Sequence, residues 1–234
     1  MARIYKAVLF DLDNTLLNYS ASELESMKRT CKDHDLFEDD PAGWSSFWQA
    51  YTEHNARHWF DFVGGGSVKS MPDVLKFSFR DALAGTEEHL HERLAATYWQ
   101  YFCGSSIFED GAEHLLSKLA GDYALGIVSN GIGEAQRGRL QAGRIADRFH
   151  SVIVSDEIGI RKPDARIFQQ ALRELGASRE ETLFIGDSLQ DDYRGAVQAG
   201  IDFCYYNRSG SVLPAGVKPT YAVTHLSQVA ELIM

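Results

Sequence analysis

Residues 8–18 read VLFDLDNTLLN, an apolar run that starts at Ala7 and leads into two aspartates one residue apart. Four consecutive apolar residues, Ala7 to Phe10, predict a short strand buried on both faces. Side chains alternate along a strand, so Asp11 and Asp13 can project to one side while Leu12 points away. Carboxylates at the end of a buried strand repel each other and require compensating charge. Asp-x-Asp alone is a weak signal that reads more readily as a solvated turn, so the rest of the chain has to supply the partner.

Bulk composition narrows the field. The chain has 234 residues, 44% of them hydrophobic, and a formal net charge of −10. That is enough apolar material for a core domain carrying an insertion. The acidic balance argues against a nucleic-acid polymer or an anionic membrane as partner. Small anionic substrates remain open, because a local cluster of cations can outweigh the global sign. No apolar stretch approaches the roughly 20 residues of a membrane span, and MARIYKAVLFD lacks a signal-peptide pattern. Cys31, Cys103 and Cys204 are too scattered for a disulfide framework or zinc site. They read as free thiols of a cytoplasmic protein.

Beyond residue 105, short apolar runs alternate with helical patterns. YALGIVSN (123–130), SVIVS (151–155), TLFIGD (182–187), DFCYYN (202–207) and TYAV (220–223) read as strands. PDARIFQQALRELG (163–176) reads as a helix with Pro163 in its first turn, an apolar face and Gly176 as C-terminal cap. This alternation predicts an α/β fold, a Rossmann-like doubly wound parallel sheet. Residues 19–105 break the rhythm with four helical stretches, SASELESMKRTCKDH, WSSFWQAYTEHNARHWFDF, MPDVLKFSFRDAL and EEHLHERLAATYWQYF. The expected organisation is therefore a core of residues 1–18 and 106–234 with an inserted α-helical cap of residues 19–105. Gly64–Gly66 lack the Lys-Ser/Thr pair of a P-loop and read as a loop.

Three further features fall at strand ends, the edge where open α/β sheets place their ligands. Ser129-Asn130-Gly131 offers a hydroxyl and turn amides to an anion. Lys162 adds a cation beside Pro163. Gly186-Asp187 ends another strand, with Asp191 and Asp192 a helical turn further on. Together they assemble two or three carboxylates for Mg²⁺, which favours a few carboxylates, waters and substrate phosphate. The hydroxyl and the ammonium are left for a phosphate.

The order Asp11-x-Asp13-x-Thr15, Ser129-Asn130, Lys162-Pro163, Gly186-Asp187 resembles the haloacid dehalogenase superfamily over the whole chain, with an insertion similar to its helical C1 cap. SNGIGEAQRGRLQ, SDEIGIRKPDARIF and GDSLQDDYRGAVQAGI most resemble its cytosolic pyrimidine 5′-nucleotidases. The resemblance implies a phosphomonoester hydrolase working through an aspartyl-phosphate. Asp11 would be the nucleophile and Asp13 the general acid, then the base. The Asp11 carboxylate, the Asp13 carbonyl and Asp187 would hold Mg²⁺, joined through water by Asp191 or Asp192, of which the GDSLxxD spacing favours Asp192. Ser129, the Asn130 amide and Lys162 would take the phosphoryl oxygens, while Thr15 orients the loop. Glu157 is either a contact of Lys162 or a solvated turn acid.

Rival readings are weaker. Gly186-Asp187-Ser188-Leu189 spells the esterase motif GDSL but stands late in the chain, and His225 lacks the Asp-x-x-His context. His54 and His58 are spaced like zinc ligands without His-Glu-x-x-His. A metal-independent dehalogenase has no use for Asp13. Sugar-phosphate or phosphoglycolate phosphatases and mutases would share every motif. A non-enzymatic phosphoacceptor or scaffold has no need of a cap. Phe47, Tyr51 and Trp59 are candidates for stacking on a nucleobase, against packing within the cap itself.

Overall fold

The computed structural model describes residues 5–234, so the first four residues of the N-terminal reading lie outside it. Six parallel strands form one sheet: β1 (Ala7–Phe10), β2 (Ala124–Ser129), β3 (Ser151–Val154), β4 (Thr182–Gly186), β5 (Asp202–Tyr206) and β6 (Tyr221–Val223). Their order is β3-β2-β1-β4-β5-β6, with Ala7 beside both Ala124 and Thr182. The chain thus leaves β1 toward one edge and later returns to its other side. That reversal is the switch point where such sheets bind ligands.

Ten helices complete the described chain: α1 (Tyr19–Asp33), α2 (Pro41–Val63), α3 (Met71–Ala82), α4 (Glu88–Cys103), α5 (Ala112–Leu119), α6 (Gly133–Ala142), α7 (Ser155–Ile158), α8 (Ala165–Leu175), α9 (Arg194–Ala199) and α10 (Ser227–Ile233). Alternation along the strands explains the two layers. Val8, Phe10, Leu125, Ile127, Leu183 and Ile185 pack with Leu115 and Leu119 of α5 and Val229 of α10. Leu9, Val128, Ile153, Phe184 and Phe203 pack with Ile167, Phe168 and Ala171 of α8 and Ala196 of α9. The Phe184 and Phe168 rings meet edge to face at 4.9 Å, the arrangement their quadrupoles favour.

The chain divides into two compact units, one built from residues up to Ser22 with Cys103–Met234 and the other from Glu23–Phe102. The second unit is helical, and aromatic rings fill its core. Tyr51, fully buried, lies 5.9 Å from Phe47, 4.9 Å from Phe79 and 5.9 Å from Tyr98. Phe47 and Tyr51 are therefore core residues, without a face free for a nucleobase, and Trp59 packs on Phe62. His58 pairs with Asp81 at 2.8 Å. Asp40 and Ser70 cap α2 and α3 by accepting the Gly43 and Asp73 amides, the role these residue types serve best.

One helix start differs from expectation. α8 begins at Ala165, and Asp164 is its cap, accepting the Arg166 amide at 2.9 Å. Pro163 therefore precedes the helix, because the Asp164 carboxylate satisfies an N–H that a proline in the first turn would only have lacked. Gly176, at φ 62°, closes the helix as expected. Among the described residues no helix is long and apolar enough to cross a membrane.

Candidate active site

Asp11, Ser129 and Asp187 lie at strand ends, whereas Lys162, expected at one, comes eight residues after β3 and beyond α7. β1 ends at Phe10, and Asp11 comes next, 6% exposed, its amide held by the Ile185 carbonyl at 2.8 Å. Asp187 follows β4. Leu189–Tyr193 then form one wide turn of π-helix, which carries the buried Asp192 back toward Asp187. Such turns concentrate at functional sites. The Asp192 Oδ2 accepts the Ser188 amide at 2.9 Å. Gly186 makes this fit possible, since a Cβ there would lie 2.4 Å from Asp192 Oδ2. Asp191 is not in the cluster, and its amide is taken up by the Ser188 hydroxyl.

Asp11, Asp187 and Asp192 each bring a carboxylate oxygen within 4.8 Å of the others. Lys162, 2% exposed, stands against two of them: its Nζ is 2.6 Å from Asp11 Oδ1 and 2.7 Å from Asp192 Oδ1. Burial would lower this ammonium, but Asp11 and Asp192 together raise it above the ordinary lysine value. Burial also pushes the Asp11 carboxyl well above its usual range, with Lys162 opposing and Asp192 and Asp187 reinforcing. Asp187 is driven up to about 7 by burial and then by Asp192. Three carboxylates thus face one cation, and burial first, then their mutual repulsion, raises Asp11 and Asp187. An oxygen-only donor set of this kind fits a hard divalent ion such as Mg²⁺.

The loop carrying Lys162 is held from β2. Asn130, next after β2, donates its Nδ2 to the Lys162 carbonyl at 3.0 Å and accepts the Lys162 amide through Oδ1 at 2.7 Å. Its side chain is therefore occupied in placing the lysine. Ser129, 1% exposed, ends β2. Thr15, fully buried, donates to Asp11 Oδ2 at 3.4 Å. Glu157 pairs with Arg137 at 2.6 Å, which accounts for it as a structural acid.

The Asp13 carboxylate has partners of its own. The strand has already ended, and the Asp13 carboxylate lies outside the acidic cluster. Arg139 of α6 donates to its Oδ1, and Gln136 donates to its Oδ2 at 2.7 Å. The two aspartates are thus compensated separately, Asp11 by Lys162 and Asp13 by Arg139. Sequence reasoning missed Arg139 and Gln136. They stand three apart on a helix, hence on one face, but their burial carries no sequence signal. It likewise missed the buried Glu109, which pairs with Arg208 at 2.6 Å.

The family description "Haloacid dehalogenase-like hydrolase" matches residues 8–206. The chain belongs to this hydrolase family. A relative of this hydrolase, the pyrimidine 5′-nucleotidase PynA of Streptococcus pneumoniae, is 33% identical over 94% of this chain and 91% of its own. The pyrimidine 5′-nucleotidase YjjG of Escherichia coli is 33% identical over 53% of this chain and 55% of its own. Among solved structures, the putative HAD-hydrolase YfnB of Bacillus subtilis, bound to magnesium, aligns with a TM-score of 0.79 at 27% identity. That alignment covers 98% of this hydrolase and 99% of YfnB.

Proposed function

We propose that the protein is a Mg²⁺-dependent phosphomonoester hydrolase that acts through a phosphorylated Asp11, with nucleoside 5′-monophosphates as its substrate class. The observation that carries this reading is the Lys162 ammonium set between the Asp11 and Asp192 carboxylates at 2.6 and 2.7 Å. A buried cation beside a candidate nucleophile is suited to receive phosphoryl oxygens as charge moves onto them. The nucleotide assignment rests on likeness to the two pyrimidine 5′-nucleotidases.

Asp11, Asp187 and the Asp13 carbonyl would hold the metal, with Asp192 beside them. The bound ion would supply charge neutralisation at the phosphoryl oxygens. Lys162 holds Asp11 Oδ1, which leaves Oδ2, carrying the long Thr15 bond, as the oxygen that attacks phosphorus. The ester P–O bond breaks, and Asp13 gives its proton to the departing oxygen. Asp13 then takes a proton from the water that attacks the phosphoaspartate, releasing phosphate and restoring Asp11. Ser129 and the Asn130 amide serve as donors to the phosphoryl group. The helical unit of Glu23–Phe102 serves as the cap that selects the substrate.

The test is phosphate release from nucleoside monophosphates, sugar phosphates and phosphoglycolate, with Mg²⁺ and with chelator, beside the Asp11→Asn protein. Metal-dependent preference for pyrimidine nucleotides is the expected result. Preference for sugar phosphates would discard the substrate class and keep the chemistry. Full activity of Asp11→Asn would sink the nucleophile assignment.

A further inference from the structure

Asp13 is held by an unusual pair. The Arg139 side chain is fully buried and Gln136 is 2% exposed. The Gln136 Nε2 donates to Asp13 Oδ2 at 2.7 Å and to Ser129 Oγ at 2.8 Å. Its Oε1 accepts Arg139 Nη1 at 3.1 Å. One amide therefore ties the candidate acid/base to the candidate phosphoryl-binding hydroxyl. The amide's place depends on Gly131, where a Cβ would lie 2.4 Å from Gln136 Nε2.

Stability alone does not explain this arrangement. An enclosed guanidinium is costly unless paired, and an apolar side chain of similar volume often serves a core as well or better. What the pair achieves is orientation, since each oxygen of Asp13 meets its own donor and the rotamer is set. An acid must sit within hydrogen-bond reach of the oxygen it protonates, and small misplacements are expensive in rate. Ser129 Oγ, accepting from Gln136, keeps its own O–H free to donate to a phosphoryl oxygen.

We propose that Gln136 and Arg139 are positioning residues for phosphoryl transfer, fixing the Asp13 carboxylate and the Ser129 hydroxyl in one network so that proton donor and phosphoryl ligand are set together. The proposal rests on the reading of Asp13 as general acid.

Leaving-group dependence separates positioning from mere structure. A p-nitrophenolate departs without a proton, whereas the alkoxide of a nucleotide needs one. The parameter kcat/KM covers only the steps through departure, so hydrolysis of the phosphoaspartate does not enter. Gln136→Leu, Gly131→Ala and Arg139→Lys are to be compared with Asp13→Asn on the best alkyl phosphomonoester and on p-nitrophenyl phosphate. Thermal melts report whether each protein is folded. The loss in kcat/KM is expected to be roughly 10- to 100-fold greater on the alkyl ester than on the aryl ester, the excess being part of a general acid's usual contribution and the loss common to both esters reporting the displaced Ser129 hydroxyl. The three atoms nearest a Cβ at Gly131 are Nε2, Cδ and Cγ of Gln136, at 2.4, 2.8 and 2.9 Å, so Gly131→Ala displaces that side chain and tests the amide even where Arg139→Lys fails to fold. Equal losses on both esters, or no loss, in folded Gln136→Leu and Gly131→Ala overturns the proposal. If Asp13→Asn itself lacks leaving-group selectivity, the acid assignment falls and this inference falls with it. If only Asp13→Asn is selective, the assignment stands and the positioning role is refuted.

Discussion

Removing the buried ammonium with Lys162→Met tests the electrostatic account of the site most directly. Lys162 is 2% exposed and contacts Asp11 and Asp192 at 2.6 and 2.7 Å. Breaking a buried pair by deleting one partner costs about 3–5 kcal/mol, because the other charge stays uncompensated. For a chain of this size that corresponds to a fall in Tm of roughly 6–20 °C. The deficit must grow with pH. Asp11 already lies above its ordinary value and Asp187 near 7. Without Lys162 the native variant retains protons that the wild type has released, so it binds more protons than the wild-type native state. Its stability then falls more steeply as pH rises, by up to about 1.4 kcal/mol per unit for each extra proton retained. Between pH 6 and 8 the gap to wild type widens by roughly 1–3 kcal/mol. Thermal melts in chelator across that range, repeated with added Mg²⁺, measure both parts. A divalent ion should restore part of the lost stability, since the same carboxylates are the ones proposed to hold it. A variant that melts within a degree of wild type at pH 8 in chelator would refute the view that uncompensated carboxylates dominate this site.

Other consequences follow from the same geometry. Asp11→Asn should abolish turnover while leaving the far-ultraviolet circular dichroism spectrum intact. Asp187→Asn should raise the Mg²⁺ concentration needed for half-maximal rate, and an unchanged requirement would remove it from the ligand set. Because Asp187 is raised to about 7, a cation must displace its proton below that pH. The Mg²⁺ requirement should then rise about tenfold from pH 8 to pH 6, as expected when binding releases one proton. In the helical unit, Tyr51→Ala removes a fully buried ring from contact with Phe47, Phe79 and Tyr98. It should cost about 3–5 kcal/mol in denaturant titrations.

Asp11, Ser129 and Asp187 were legible in the sequence for one reason, that each closes a buried apolar run, whereas Lys162 was legible only through its place in the motif order. Phe10 before Asp11, Val128 before Ser129 and Ile185 before Gly186-Asp187 announce the strand and its end together. Parallel-sheet geometry then carries those ends to one edge. Arg139 and Gln136 lie on a helix of mixed polarity, and nothing in RGRLQ distinguishes a buried guanidinium from a solvated one. Their burial is decided by Asp13, more than a hundred residues away along the chain. Pro163 was misplaced for a local reason, because either it or Asp164 could open α8 and the carboxylate cap prevailed. The aromatic positions of α2 could not be sorted by pattern, since core packing and base stacking call for the same side chains.

The separation of the two aspartates has a consequence for charge. Asp11, Asp187 and Asp192 against Lys162 leave two formal negative charges when all four groups are ionised. A divalent cation cancels that sum, so a phosphate dianion would meet a neutral site instead of a repelling one. While ionised, Asp13 adds nothing to this balance, because Arg139 is paired with it; once it carries the proton of the proposed acid step, that guanidinium is one further positive charge beside the anion. Had Asp13 joined the acidic cluster, the same cation would have left a net negative charge facing the substrate. Holding Asp13 on its own guanidinium lets the site keep three acids for the proposed metal and a fourth for the proposed proton transfer without opposing the anion it is proposed to bind. Arg139 is therefore as much a part of the electrostatics of this site as Lys162.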